Sequence, residues 1–304
     1  MTPPAGLPVD RPVPAGYAAG APAPWWVKLT VKLALGALPV PAGAWRAIGL
    51  RRHSFGALDP DRLVEPLASR ARRFEEVAGR APRAVLEVGP GAMVLRAPVA
   101  AALGLGPVWY LDVEDSAPRD LAPYRIAAEA ARKAGLVPPD LSGCANRADV
   151  LAACNARLLV GGPAALAAVP AGSVDLVFSE VALEHVRRDA LAPLLAALRR
   201  VTAPGGLGLH AVDFHDHLGG GLRHLRFGPA FWDGRAVARA GLYCNQLGLS
   251  QILAAFAAAG FSARASQRLV WPLPQLPPGG AHPGIGRAPE DDRICHAALE
   301  VRPA

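Results

Sequence analysis

Two stretches of this sequence hold residues whose types and spacing could do chemistry. The first, Ala84-Val85-Leu86-Glu87-Val88-Gly89-Pro90-Gly91, runs from an apolar strand through an acid into a glycine turn. Gly89 and Gly91 have no Cβ and reach positive φ freely, so a ligand can approach this backbone closely. A dinucleotide site would ask for G-x-G-x-x-G, but the third glycine position is Val94, and no Lys-Ser or Lys-Thr follows to hold phosphates. The turn therefore favours a ligand without a pyrophosphate and argues against a nicotinamide enzyme. Asp112 ends the next apolar run, twenty-one residues after Gly91. An acid at that place can accept both hydroxyls of a ribose. Glu114 and Asp115 beside it could instead cap a helix.

The second stretch is His210-Ala211-Val212-Asp213-Phe214-His215-Asp216-His217. A histidine next to a carboxylate can serve as general base for a hydroxyl nucleophile. We expect His217 in that role, oriented by Asp213 or Asp216, with His210 in the same cluster and His185 of Leu183-Glu184-His185-Val186 as a secondary member. The same side chains could instead hydrogen-bond a loop in place or ligate a metal. The i,i+4 His-x-x-x-His pairing of helical metal sites is absent, and no metal is expected.

These residues must be positioned by regular elements. From Pro82 onward short apolar runs alternate with Ala/Leu-rich stretches, the pattern of βαβ units in a parallel sheet. Strands are expected at Ala84–Val88, Val108–Asp112, Arg157–Val160, Val174–Ser179, Leu207–Val212, Ala263–Val270 and Ile294–Val301. Helices are expected near Met93–Leu103, Pro118–Lys133, Asp189–Val201 and Ser250–Ala259. The fold class is α/β: a doubly wound, mostly parallel sheet of seven strands with an N-terminal helical appendage. Residues 81–304 form the main domain, and the long connection 213–248, after the fifth strand, reads as a substrate lid because such connections in compact domains are usually functional or disordered.

Residues 1–24 are rich in Pro, Ala and Gly and read as a disordered tail; no basic segment leads into an apolar one, so they do not resemble a signal peptide. Residues 25–80 form the helical appendage. Within it, residues 25–40 are apolar apart from Lys28, Thr30 and Lys32, too short and too charged to cross a bilayer of ~20 apolar residues. That segment is either a cap helix packed on the domain or an interfacial helix anchored at a membrane by Trp25 and Trp26. Leu50 to Val77, with Leu63, Val64, Leu67, Phe74 and Val77 among Arg and Glu, reads as further helix.

The net charge of +7 would suit a weakly acidic substrate or an anionic surface. The basic residues are scattered, with no block longer than two, and nucleic acid is not expected as a partner. Four cysteines without a C-x-x-C pair suggest neither a disulfide framework nor a thiolate zinc site, consistent with a cytoplasmic location, with or without peripheral contact to the inner face of the membrane.

The ordered series of Glu87 to Gly91, then Asp112, then Gly172-Ser-Val-Asp-Leu-Val-Phe-Ser179, then Leu183 to Val186, then Leu198-Arg-Arg-Val201 with Pro204-Gly-Gly206 resembles the class I S-adenosylmethionine-dependent methyltransferases, over roughly Pro82 to Phe261. That resemblance implies a Rossmann-like fold and S-adenosylmethionine as cofactor. It puts the methionine moiety near Glu87, Gly89, Pro90 and Gly91, the ribose on Asp112, and the donor methyl toward Ser179 and Glu180. The acid that the family often carries after its third strand is replaced by Val160-Gly161-Gly162-Pro163; backbone there, or Asp149, would contact the adenine. A narrower similarity, in the run from His210 to His217, in Tyr243-Cys-Asn-Gln-Leu247, and in Leu38-Pro39-Val40 and Trp45, is to bacterial methyltransferases with an H-x-x-D-x-x-D-H run near surface-polysaccharide assembly. It implies a small-molecule or saccharide acceptor methylated on oxygen. The Asn-Arg-Leu-Arg typical of that subgroup is Asn245-Gln246-Leu247-Gly248 here, so an arginine contact to substrate is missing. The other readings are a metal-dependent hydrolase built on the His/Asp run, for which the glycine turn has no role, and a cofactor-binding module without turnover.

Overall fold

The computed structural model describes residues 8–15, 17, 24–37 and 60–304. Its strands are β1 (Val9–Pro12), β2 (Val85–Val88), β3 (Val108–Asp112), β4 (Ala156–Val160), β5 (Val174–Glu180), β6 (Thr202–Asp213), β7 (Phe261–Val270) and β8 (Ile294–Pro303). They lie in the order β1-β7-β8-β6-β5-β2-β3-β4. β2 pairs in parallel with β3 and β5, β3 with β4, and β1 with β7. β7 and β8 run antiparallel, as contacts of Arg264 with Glu300, Ser266 with Ala298 and Trp271 with Arg293 show. The architecture is the expected mostly parallel α/β sheet, with one strand more than the seven expected. The additional strand is β1, inside the segment read as a tail. Its four residues are exposed and carry no apolar pattern. The Asp10 carboxylate takes the Arg268 guanidinium at 2.6 and 2.8 Å, and Pro12 is tolerated because the strand lies at the sheet edge.

The chain divides into two compact units. The glycine-turn unit comprises residues 52–180, 193–209 and 302–304. In it β2 is buried throughout, as a central parallel strand must be. Around it stand helices α2 (Pro60–Ala78), α3 (Ala97–Ala102), α4 (Ala122–Lys133) and α5 (Arg147–Ala153). α2 buries Leu63, Leu67 and Phe74 on one stripe, the helical spacing that made it legible; residues 50–59 of that expected helix lie outside the described residues. The helix expected at Met93–Leu103 is a 3₁₀ segment, Gly91–Arg96, running into α3. α5 was not expected. It starts where Asn146 accepts the amides of Ala148 and Asp149 while the Asp149 carboxylate accepts those of Ala145 and Asn146, a reciprocal capping box.

The histidine unit comprises residues 1–51, 181–192 and 210–301. α1 (Trp25–Ala37) buries Leu29 against Trp232, Val237 and Leu242, and Trp25 and Leu33 pack beside it. The described part of the 25–40 segment is thus a packed helix, with Trp26 and Val31 left exposed; residues 38–40 and Trp45 lie outside the described residues. Gly36 permits this packing, since a Cβ there would lie 3.0 Å from the Ala240 backbone nitrogen. The 213–248 segment contains a 3₁₀ turn, Arg223–Arg226, and the short helices α7 (Pro229–Trp232) and α8 (Arg235–Arg239), and α9 (Leu249–Ala258) follows it. Helix α6 spans Arg188–Val201. Among the described residues no helix is long and apolar enough to cross a membrane.

Candidate active site

In the glycine-turn unit, β2 delivers Glu87 and then turns through Gly89 at φ 68° and Gly91 at φ 53°, values that only glycine adopts without strain. Asp112, at the end of β3, accepts the Gly91 amide at 3.0 Å and the Val113 amide at 2.7 Å. The turn is therefore held by the acid expected to bind ribose, and each carboxylate oxygen keeps a further lone pair. A Cβ on Gly91 would meet no atom within 4 Å, so the space over the turn is open. Glu87 is 2 % exposed. Burial pushes its carboxyl up to about 7, with Arg96 opposing and Glu180 reinforcing the shift.

The remaining residues expected around the cofactor are placed differently. Glu180 at the end of β5, expected beside a donor methyl, receives Arg70 at 2.8 Å and Arg96 at 3.1 Å. Two guanidiniums satisfy its charge, and it acts as a strut between α2, the 3₁₀ segment and β5. Ser179 is fully buried within its strand. Asp149, expected as an adenine contact, is occupied in the α5 cap.

The His/Asp run, in the histidine unit, is split by strand geometry. Successive residues of β6 point to opposite faces, so His210 lies on the face of Val212, buried against Phe256 at 5.2 Å between ring centroids. It does not join the cluster around Asp213. Asp213, on the other face, takes His215 Nε2 at 3.3 Å and the Tyr17 hydroxyl at 3.1 Å. Burial alone would raise its pKa, but the hydrogen bond and charge of His215, together with His296 and Tyr17, hold it below the usual carboxylate range. His215 also directs Nδ1 at the Asp216 carbonyl, 3.3 Å away. Both ring nitrogens thus face acceptors, the arrangement of an imidazolium; burial disfavours that charge, and Asp213 outweighs it to raise the pKa.

His217 has a different environment from the one its sequence suggested. Neither Asp213 nor Asp216 hydrogen-bonds it. It stacks on His185 with centroids 5.1 Å apart and planes 14° from parallel. Burial, then the neighbouring His185, His215 and Lys32, lowers its pKa to about 4. His185 directs Nδ1 at the Tyr243 carbonyl, 2.8 Å away, and a carbonyl only accepts. Its Nδ1 is therefore protonated, its Nε2 carries the lone pair, and burial lowers its pKa as well. The result is a stacked pair of neutral imidazoles. Among the described residues no three His, Cys, Asp or Glu side chains are grouped to hold a metal ion.

Asp216 is scaffold. Its Oδ1 accepts the amides of Leu218, Gly219 and Gly220 at 2.8 to 3.1 Å, and its Oδ2 accepts that of Arg223 at 2.6 Å. Asn245 and Gln246 also act structurally: the Asn245 amide donates to the Leu183 and Val186 carbonyls, and that of Gln246 to those of His224 and Phe227. An amide side chain carries two donors and an acceptor, which suits it to bind two loop carbonyls at once. Arg188 completes this brace through the Asn245 carbonyl and Gln246 Oε1. Tyr17, His215 and His296 are the members of the cluster around Asp213 that sequence reasoning did not name as site residues. Tyr17 sits in a segment without pattern, and His296 is one residue of a β8 alternation; neither carried a signal.

Residues 125–209 match the model of a methyltransferase domain. Over this span the chain is similar to methyltransferase domains. The matched span runs from α4 into β6 and includes Ser179, Glu180 and His185, whereas the glycine turn and Asp112 precede it and the run from His210 follows it. No curated protein matches the chain. Among solved structures, the YcgJ protein of Bacillus subtilis shares 14% identity over 78% of this chain and 99% of its own, with a TM-score of 0.43. The mitomycin 7-O-methyltransferase MmcR shares 18% over 93% of this chain and 69% of its own, at 0.45. Phosphoethanolamine N-methyltransferase 2 of Haemonchus contortus shares 16% over 79% and 53%, at 0.42.

Proposed function

We propose that this chain is a methyltransferase that takes S-adenosylmethionine as donor and methylates an oxygen of a small-molecule or saccharide acceptor. The observation that carries the cofactor assignment is the turn through Gly89 and Gly91, with open space at Gly91 and the Gly91 amide held by Asp112. A ribose at this place would meet the free lone pairs of Asp112, and the missing Cβ atoms would let the nucleoside lie against the backbone. When bound, S-adenosylmethionine supplies an electrophilic methyl on a sulfonium leaving group, so alignment matters more than acid catalysis.

The acceptor chemistry falls to the histidines. A hydroxyl acceptor must lose its proton as the new C–O bond forms, and a neutral imidazole can receive it. His217 makes no hydrogen bond to a described residue and stays neutral above about pH 4. It is the base in this reading. His185 stacks on it, while His215, with both ring nitrogens facing acceptors, is bound to Asp213 and serves as a fixed positive charge.

Calorimetric titration with S-adenosylhomocysteine tests the cofactor assignment, and saturable binding is the expected result. A folded protein that gives no heat with S-adenosylhomocysteine would sink it.

A further inference from the structure

The 213–226 segment carries a second feature beyond the histidines. A cavity of about 180 Å³ in the histidine unit is lined by Trp25, Arg223, Arg226, Gln275, Leu276 and Pro277, among others, and none of the described residues that line it is acidic. Both arginines belong to the 3₁₀ turn Arg223–Arg226. With three residues per turn, positions i and i+3 eclipse, so the two guanidiniums project on one side of the turn. Neither forms an ion pair among the described residues. Arg226 is steadied by the Trp25 ring, 4.8 Å below it. Arg223 lies along the glycine loop before it: a Cβ on Gly219 would stand 2.7 Å from its guanidinium nitrogen. The Arg223 backbone is fixed by Asp216.

Two guanidiniums lining one cavity with an aromatic wall, without counter-charge among the described residues, suit a group with several charged oxygens in tetrahedral array. The volume is below the ~300–1,000 Å³ of sites for drug-sized ligands, and it admits a headgroup rather than a whole cofactor. We propose that this cavity binds a phosphoryl group, with Arg223 and Arg226 as its ligands. If the methyl-transfer reading above also holds, on which this clause rests, the acceptor is a phosphorylated molecule anchored here. The group can come from a soluble phosphomonoester or from a lipid headgroup, and the two sources share this chemistry.

The test titrates the full-length protein with inorganic phosphate and with glycerol phosphate, followed by phosphorus NMR or calorimetry. A parallel arm measures co-sedimentation with vesicles of phosphatidylcholine alone and of phosphatidylcholine with phosphatidylglycerol. Saturable binding is expected, weakened ~10-fold or more in the Arg223→Gln/Arg226→Gln variant, the effect of losing charge-assisted hydrogen bonds, and largely restored with lysine at both positions. Soluble phosphate that binds and dissociates the protein from vesicles identifies a lipid source; phosphate binding without sedimentation identifies a soluble one. Absence of saturable phosphate binding, or equal binding in the double glutamine variant, overturns the proposal. S-adenosylhomocysteine affinity, measured in the same variants, is expected to be unchanged, which separates this proposal from that of the cofactor.

Discussion

At the scale of single residues, Asp112 has two tasks: its oxygens hold the Gly91 and Val113 amides, and in the proposed function they receive a ribose. Asp112→Ala should weaken S-adenosylhomocysteine by about 1.5–3 kcal/mol, the worth of hydrogen bonds to a charged group, roughly a ten- to hundredfold rise in Kd by calorimetry. Unchanged affinity would remove it from the site. His217→Ala should lower methyl transfer by about 10²–10⁴, the range for a positioned base, with cofactor affinity kept. Turnover at the parent rate would pass the role to His185. The acid limb of kcat/KM is expected near pH 4, where His217 takes up a proton. Glu87 has the opposite sign. Its folded pKa of about 7 lies above the ordinary 4.5, so between these values the folded chain keeps a proton that the unfolded chain has released, and stability falls as pH rises through that window. Glu87→Gln should remove that slope, read as Tm against pH; an identical slope in the variant would show that other groups produce it.

At the scale of elements, the loop after β6 depends on a single carboxylate. Four amides, from Leu218 to Gly220 and Arg223, converge on Asp216, which is 2 % exposed. Asp216→Ala leaves these donors without an acceptor, at a cost of about 1–3 kcal/mol for each buried group that water cannot reach. Hydrogen exchange at residues 218–223 should accelerate strongly while α4 and β2 keep their protection. A loop as protected as in the parent would show that its packing suffices. Sequence reading placed Asp216 among the catalytic candidates because a carboxylate beside a histidine can orient it as a base. Short-range hydrogen bonding decided otherwise, since residues two to seven positions ahead present their amides to it first.

At the scale of the whole molecule, β1 adds an edge strand through backbone pairing with β7 and through Asp10 and Arg268. Deleting residues 1–15 uncovers the edge of β7 at Gln267–Val270, and such edges template association. A lower Tm and a shift to larger species in size-exclusion chromatography are expected; an unchanged elution profile would show that β7 needs no cover. What the sequence by itself determined was the sheet: six of the eight strands follow from apolar runs, turn residues and helical spacing, and β6 follows in its second half, because these signals are local in the chain. The glycine turn and Asp112 were equally legible, since backbone conformation and strand ends are local properties. Only the tertiary structure decided which histidine meets which acid. It separated His210 from Asp213 by strand alternation, gave Asp213 to His215 and Tyr17, stacked His217 on His185, and turned Asp216 and Glu180 into struts. These pairings join residues up to 196 positions apart, and side-chain type alone does not encode which of several nearby acids a histidine will reach.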